Sequence, residues 1–126
     1  MAGNLSDYAE NKLVDHILGT TSYTKPTTYL ALYSVAPTDS TSGTEVTGGS
    51  YARKPAVFGS AASGQASNST DVDFTNMPAI TVVAIAVVDA LTSGNILVYG
   101  TLQANKALDA GDTLRVAVGD LTVSLD

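Results

Sequence analysis

The sequence contains no cysteine and no tryptophan, and only 14% of its residues are charged, against a typical share of roughly 25%. Without cysteine the chain can form neither disulfides nor cysteine-based zinc sites, and it has no thiol nucleophile. Its longest apolar-rich run, residues 78–88, is far shorter than the roughly 20 residues that span a bilayer. Residues 1–5 lack the basic and apolar regions of a signal peptide. We therefore expect synthesis in the cytoplasm without secretion, and no membrane partner.

Basic residues are also scarce. Six lysines and arginines face twelve acidic residues, which gives a net charge of −6. Nucleic-acid binding normally depends on clustered positive charge, and the only adjacent pair here is Arg53-Lys54. We therefore expect no nucleic-acid partner.

One amphipathic helix is predicted at the start of the chain, over residues 6–18. Leu5, Ala9, Leu13 and Ile17 are spaced four apart, as on one helical face. Ser6 suits the N-cap position, and Gly19 suits a left-handed C-cap. A helix of this length is unstable alone, so we expect it to dock on its own domain or on a neighbour.

The remaining chain, about 27–126, alternates in the manner of short strands separated by turns. Residues 80–88 are apolar on both faces, which predicts a strand that is covered on both sides; we expect the helix to provide one cover. Pro55 favours an edge strand, and Gly119 predicts a tight turn or bulge. Residues 39–50 and 59–70 are predicted to be exposed loops. The pattern indicates a single all-β domain, 1–126, an antiparallel β-sandwich or jelly-roll-like fold with one N-terminal helix.

Catalytic and metal-binding patterns are nearly absent. Asp15 and His16 are adjacent, so on a helix they point in different directions and do not predict a catalytic triad. Asp71, Asp73 and Asn76 lack the glycine and glutamate of a calcium loop, and an exposed strand face is the simpler interpretation. We therefore expect no enzymatic activity, no catalytic residues, no metal and no cofactor.

Four segments together resemble a family of small virion proteins of tailed bacteriophages, described as tail-fibre-like or minor structural (decoration-type) proteins. They are "LSDYAENKLVDHILGTTSYTKPTTYLALYSVAPTD", "GTEVTGGSYAR", "FTNMP" and "AGDTLRVAVGDLTVSLD". The resemblance runs from about Leu5 to the C-terminus and implies a virion location and no catalytic residues.

Three functions follow as hypotheses. The single-domain length without shaft repeats favours a capsid decoration or cement protein, which would contact the major capsid protein and form a homo-oligomer. The alternative is a tail, tail-fibre or baseplate component that touches a host receptor. A small carbohydrate-binding module is the third hypothesis, and the absence of tryptophan weakens it, because such modules use aromatic platforms.

Protein–protein contacts are predicted in the two loops and beside the helix. Tyrosine buries ring area while its hydroxyl stays hydrated, which suits an interface. The aromatic contact residues predicted on this ground are Tyr8, Tyr23 and Tyr51. The polar contact residues predicted from the loops are Glu45, Ser63 and Gln65.

Overall fold

A computed structural model describes residues 2–125, with side chains from residue 4 onward. In chain order the elements are β1 (Ala2–Leu5), α1 (Asp7–Leu18), β2 (Tyr29–Val35), β3 (Thr44–Glu45), β4 (Lys54–Pro55), β5 (Gln65–Ser67), β6 (Val72–Phe74), β7 (Ile80–Val88), β8 (Ile96–Leu108), β9 (Leu114–Val116) and β10 (Thr122–Ser124). The predicted all-β fold with one N-terminal helix is confirmed.

The helix begins and ends where the capping residues predict. The Ser6 side chain accepts a hydrogen bond from the backbone N–H of Ala9, as an N-cap does. Gly19 adopts a left-handed conformation with φ of 86°, and its N–H donates to the carbonyl of Asp15. Within residues 2–125, no helix is both long enough and apolar enough to cross a membrane.

Eight strands form one sheet in the order β3-β2-β7-β8-β1-β10-β5, with β4 paired to β2 outside this path. The long central pairs, β2 with β7 and β7 with β8, are antiparallel, whereas β1 runs parallel to β10. A second, two-stranded sheet pairs β6 with β9. The prediction that Pro55 lies at an edge is confirmed, because within residues 2–125 β4 pairs with β2 alone.

Strand β7 is buried on both faces, as its sequence predicts. One face, with Val82, Ile85 and Val87, belongs to the main core, which also holds Leu32 of β2 and Leu121 beside β10. Since three strands (β7, β8 and β1) lie between β2 and β10 in the sheet order, the sheet must curve around this core. The fold is therefore sandwich-like.

The helix covers a different surface from the one that we expected. Its buried residue, Ala9, joins the main core, and α1 packs on β8 and β1. The opposite face of β7, with Ala84, Ala86 and Val88, packs instead with the residues Tyr29, Ala31, Tyr33, Ala36, Val83, Ile96 and Tyr99. Alanines leave enough room for these neighbouring rings, so this face needs no helix as a cover.

Two further differences concern short elements. Leu5, assigned to the helical stripe from its spacing, ends strand β1 and pairs with Val98 of β8. Both segments predicted to be exposed loops contain a strand and a buried residue. Residues 39–50 contain β3, which pairs with β2, and the buried Val46, and residues 59–70 contain β5, which pairs with β10, and the buried Asn68. The predicted tight turn at Gly119 is confirmed: the residue has φ of 82°, and the N–H of Asp120 donates to the carbonyl of Ala117.

Candidate functional site

Glu45 and Tyr51, two predicted contact residues, meet inside the domain. The guanidinium of Arg53 donates to both carboxylate oxygens of Glu45, at 2.9 and 3.0 Å. The Tyr51 hydroxyl donates to the same carboxylate at 2.7 Å and accepts from the backbone N–H of Leu32 at 3.0 Å. The Tyr51 ring stacks on Phe74, with centroids 6.0 Å apart.

Arg53 extends this network to a distant turn. Its Nη1 donates to the carbonyls of Ala90 and Ser93, at 2.8 and 2.7 Å, and its side chain is only 10% exposed. The guanidinium thus joins the strand pair β2–β3 to the turn between β7 and β8. A bidentate, charge-assisted pair of this kind fixes both partners in one geometry.

The ionisation of these groups follows from their surroundings. Burial alone would raise the pKa of Glu45, but the hydrogen bonds from Arg53 and Tyr51 outweigh it and lower that pKa. Burial, together with the hydrogen bond to Glu45, raises the pKa of Tyr51 well above its usual value. At neutral pH the site is therefore an ion pair beside a neutral phenol, which suits a structural role more than proton transfer.

A cavity of about 250 Å³ opens beside this network. Tyr33, Glu45 and Arg53 line it, together with Gly43 and Asn95. Burial raises the pKa of Tyr33, and the neighbouring Glu45 raises it further. The cavity is smaller than the roughly 300 Å³ at which small-molecule sites begin, so we regard it as part of the packing around the ion pair.

Tyr8 in helix α1 lies next to Tyr23, which is in the segment that follows the helix. Burial raises the pKa of Tyr23, and the adjacent Tyr8 hydroxyl and Asp89 raise it further. The segment that follows the helix is held by the backbone N–H of Tyr23, which donates to Nδ1 of His16 at 3.0 Å. The ammonium of Lys12 lies 5.6 Å from the centre of the Tyr8 ring.

The N-terminal end of the helix is tied to loop 36–43. The backbone N–H of Asp7 donates to the carbonyl of Asp39 at 3.1 Å. The Asp39 carboxylate accepts a hydrogen bond from the Tyr99 hydroxyl on β8, which raises the pKa of Tyr99 to about 12. The first half of the helix is therefore held firmly against the sheet.

Ser63 and Gln65 lie at the tip of the hairpin that leads into β5. Ala62 and Gln65 exchange backbone hydrogen bonds of 2.9 and 3.1 Å. Ser63 and Gly64 both have positive φ, 54° and 74°, as a two-residue type I′ turn requires. Both predicted residues are exposed. The six predicted contact residues thus fall in three separate places, and their role in contacts stays a prediction.

Asn68 has a structural role that the sequence did not indicate. It is 2% exposed, and its amide nitrogen donates to the carbonyls of Thr70 and Ala117, at 3.0 and 2.9 Å. Its side-chain oxygen accepts from the N–H of Leu121 at 3.0 Å. In the sequence, Asn68 is noticeable only as part of an Asn-Ser-Thr triplet, which gives no sign of burial.

The acidic residues near β6 are engaged in ion pairs. Asp73 accepts two hydrogen bonds from Arg115, at 2.7 and 3.0 Å, and Asp71 lies 3.7 Å from the same guanidinium. These bonds lower the pKa of Asp73. Among residues 2–125, no group of three or more histidine, aspartate or glutamate side chains could hold a metal ion.

Comparison of the sequence with known protein families gives a match over almost the whole chain. Residues 4–124 match the model of the family described as Podophage GP4 fiber I protein gp80. The chain belongs to that family. The match spans α1 and every strand from β2 to β10, so it includes the Glu45 network, the helix and the hairpin tip. None of the curated proteins matches the chain.

Membership of this fibre I family confirms the predicted resemblance to tail-fibre-like phage proteins. It also supports a structural role in a phage virion. The family description refers to a fibre, which agrees better with our alternative hypothesis of a tail or tail-fibre component than with capsid decoration.

Proposed function

We propose that this protein is a non-enzymatic, fibre-type component of a phage tail, and that it acts through protein–protein contacts. The observation that carries the proposal is the family match over residues 4–124. In this role the domain is a subunit or attachment module of the fibre assembly, and the assembled fibre contacts a host receptor.

The contacts that the charged and aromatic side chains make within the domain support a non-enzymatic role. Arg53 and Glu45 neutralise each other, and Arg115 pairs with Asp73. Catalytic acids and bases need a pKa near the working pH and access to substrate, whereas these groups are held in ion pairs. The rings of Tyr33 and Tyr51 are buried or stacked inside the domain, so neither offers a platform for a carbohydrate.

Copy number in the virion tests the fibre proposal. A fibre component occupies a few symmetric positions on a tail, whereas a decoration protein covers the many repeated positions of a capsid. Quantitative mass spectrometry of purified particles, normalised to the major capsid protein, should give roughly a few tens of copies or fewer. Immunogold labelling should then place the protein on the tail.

Capsid decoration is the second candidate, because residues 1–126 contain no shaft-like repeats. A copy number in the hundreds, with label distributed over the capsid, would support decoration and contradict the fibre proposal. Copies on tails from which fibres have been stripped would indicate attachment to the tail tube or baseplate instead.

A further inference from the structure

The second half of helix α1 carries an apolar face that its own domain leaves uncovered. Val14, Ile17 and Leu18 are 54%, 76% and 76% exposed. Ile17 and Leu18 follow Val14 by three and four residues, so the three side chains lie on one side of the helix. By contrast, Ala9 in the first half is buried. Adjacent large apolar side chains on a projecting helix are typical of an interaction surface.

A groove of about 590 Å³ lies elsewhere on the same molecule, between the second half of β8 and the segment from β9 to β10. Four aliphatic side chains that line it are nearly fully buried: Leu32, Ile85, Leu114 and Leu121. Its polar lining residues are Gln103, Lys106, Arg115, Asp120 and Thr122. An apolar floor with a few polar groups is the usual character of a binding site of this size.

An irregularity in β8 accounts for the position of the groove. Val82 pairs with Lys106, whereas Ala84 pairs with Thr101, so residues 102–105 of β8 all lie opposite the single residue Val83. Extra residues in one strand bend it away from its partner. The bent stretch contributes Leu102, Gln103 and Ala104 to the groove lining, and Lys106, which follows it, lines the groove as well.

The helix face and the groove carry complementary charge. The groove is lined by two basic residues, Lys106 and Arg115, and one acidic residue, Asp120, whereas the chain as a whole has six basic and twelve acidic residues. Arg115 is already paired with Asp73, whereas Lys106 makes no ion pair within residues 2–125. On the helix, Glu10 precedes Val14 by one turn, and Asp15 flanks the apolar face; both carboxylates are exposed. A helix inserted in the groove would bring these acids near Lys106.

We propose that α1 of one copy inserts Val14, Ile17 and Leu18 into the groove of a second copy, with Lys106 facing the acidic residues of the helix. The helix does not fill the groove of its own chain, because these three side chains are exposed. Since the two surfaces differ, the contact is heterologous and joins copies head to tail, in a ring or an open filament. This inference rests on the proposed function, because it specifies one of the protein–protein contacts.

The contact is small, so the isolated protein should associate weakly, while repeated contacts in a virion would strengthen it. Sedimentation velocity of the full chain, at protein concentrations up to about 1 mM, should show oligomers larger than a dimer. The helix variant Ile17→Glu/Leu18→Glu and the groove variant Lys106→Glu should each weaken association at least about tenfold. Leu91→Glu and Lys25→Glu, which alter an exposed apolar residue and an exposed lysine elsewhere, should associate as the wild type does.

Mixing the two defective variants distinguishes this contact from a symmetric one. The groove variant keeps an intact helix and the helix variant keeps an intact groove, so an equimolar mixture should form a heterodimer and nothing larger. In addition, Asp15→Lys combined with Lys106→Glu should recover part of the lost association. A groove variant that still associates as the wild type does would show that helix pairs with helix and would overturn the proposal, as would a monomeric wild type over the whole concentration range. Copy number is measured independently, so either failure leaves the fibre proposal standing.

Discussion

At the residue scale, one carboxylate organises three separate segments of the chain. Glu45 receives hydrogen bonds from Arg53 and Tyr51, and these partners in turn reach the turn at residues 90–93 and the backbone of β2. Removing one member of such a pair leaves the other with an uncompensated charge in a poorly hydrated place, which costs more than the pair itself contributes. Glu45 therefore matters to stability although it is a polar residue at the end of a two-residue strand.

Glu45→Gln should lower the free energy of unfolding by about 2–3 kcal/mol at pH 7, less than for a fully buried pair, because this carboxylate is 27% exposed. The folded state lowers the pKa of Glu45 from 4.5, so its contribution is complete above that pH and is lost as the pH falls through the folded pKa. Urea unfolding at pH 7 and pH 3 should show the difference between variant and wild type shrinking at pH 3. Glu10→Gln is the exposed control, and an equal difference at both pH values would contradict the prediction.

Asn68→Ala should destabilise the protein by about 3 kcal/mol, because it leaves a backbone N–H and two carbonyls without their side-chain partner. Urea unfolding measures the change. Asn105→Ala, at an exposed position on β8, is the matched control and should change stability by less than about 0.5 kcal/mol. A similarly small effect for Asn68→Ala would show that water replaces these hydrogen bonds.

The sequence indicates some of these residues better than others. Tyr51 and Glu45 were singled out as contact residues, but a tyrosine at an interface and a tyrosine packed on Phe74 have the same local pattern. The burial of Asn68 could not be predicted for a related reason. Its partners, Ala117 and Leu121, are about fifty positions away, and no local periodicity records a hydrogen bond over that separation.

At the scale of elements, helix α1 is anchored at one end only. Its first half holds the Ser6 cap, the buried Ala9 and the contact between Asp7 and Asp39, while its second half carries the exposed apolar face. Ala9→Glu should therefore cost about 3 kcal/mol, since it places a charge in the core. Ile17→Glu should change stability by less than about 0.5 kcal/mol. Thermal or urea unfolding of the two variants compares them directly, and similar losses would contradict one-ended docking.

Long elements were predictable, whereas short ones were not. The helix at 6–18 and the strand at 80–88 have clear periodicity and lie within a residue of their observed limits. Strands β1 and β5, with four and three residues, carry too little pattern, and they form because distant partners pair with them. The covering of β7 could not be assigned either, because alanines permit several kinds of neighbour.

At the scale of the whole molecule, the two ends of the described chain are adjacent strands. Ala2 pairs with Thr122 and Gly3 with Val123, and β10 in turn pairs with β5. β10 therefore joins the N-terminal strand to the hairpin around residues 62–65. Leu121, next to β10, is 1% exposed in the main core and donates its N–H to Asn68.

Deleting residues 121–126 should consequently abolish cooperative folding, although it removes only a short segment at one end. The deletion leaves β1 and β5 without a shared partner, opens the core where Leu121 lay, and exposes edges that promote aggregation. Near-ultraviolet circular dichroism of the tyrosines and urea unfolding test this outcome. Leu125→Ala, at an exposed position beyond β10, should leave both signals close to wild type. A truncated chain that unfolds cooperatively at the wild-type midpoint would show that the sheet closes without β10.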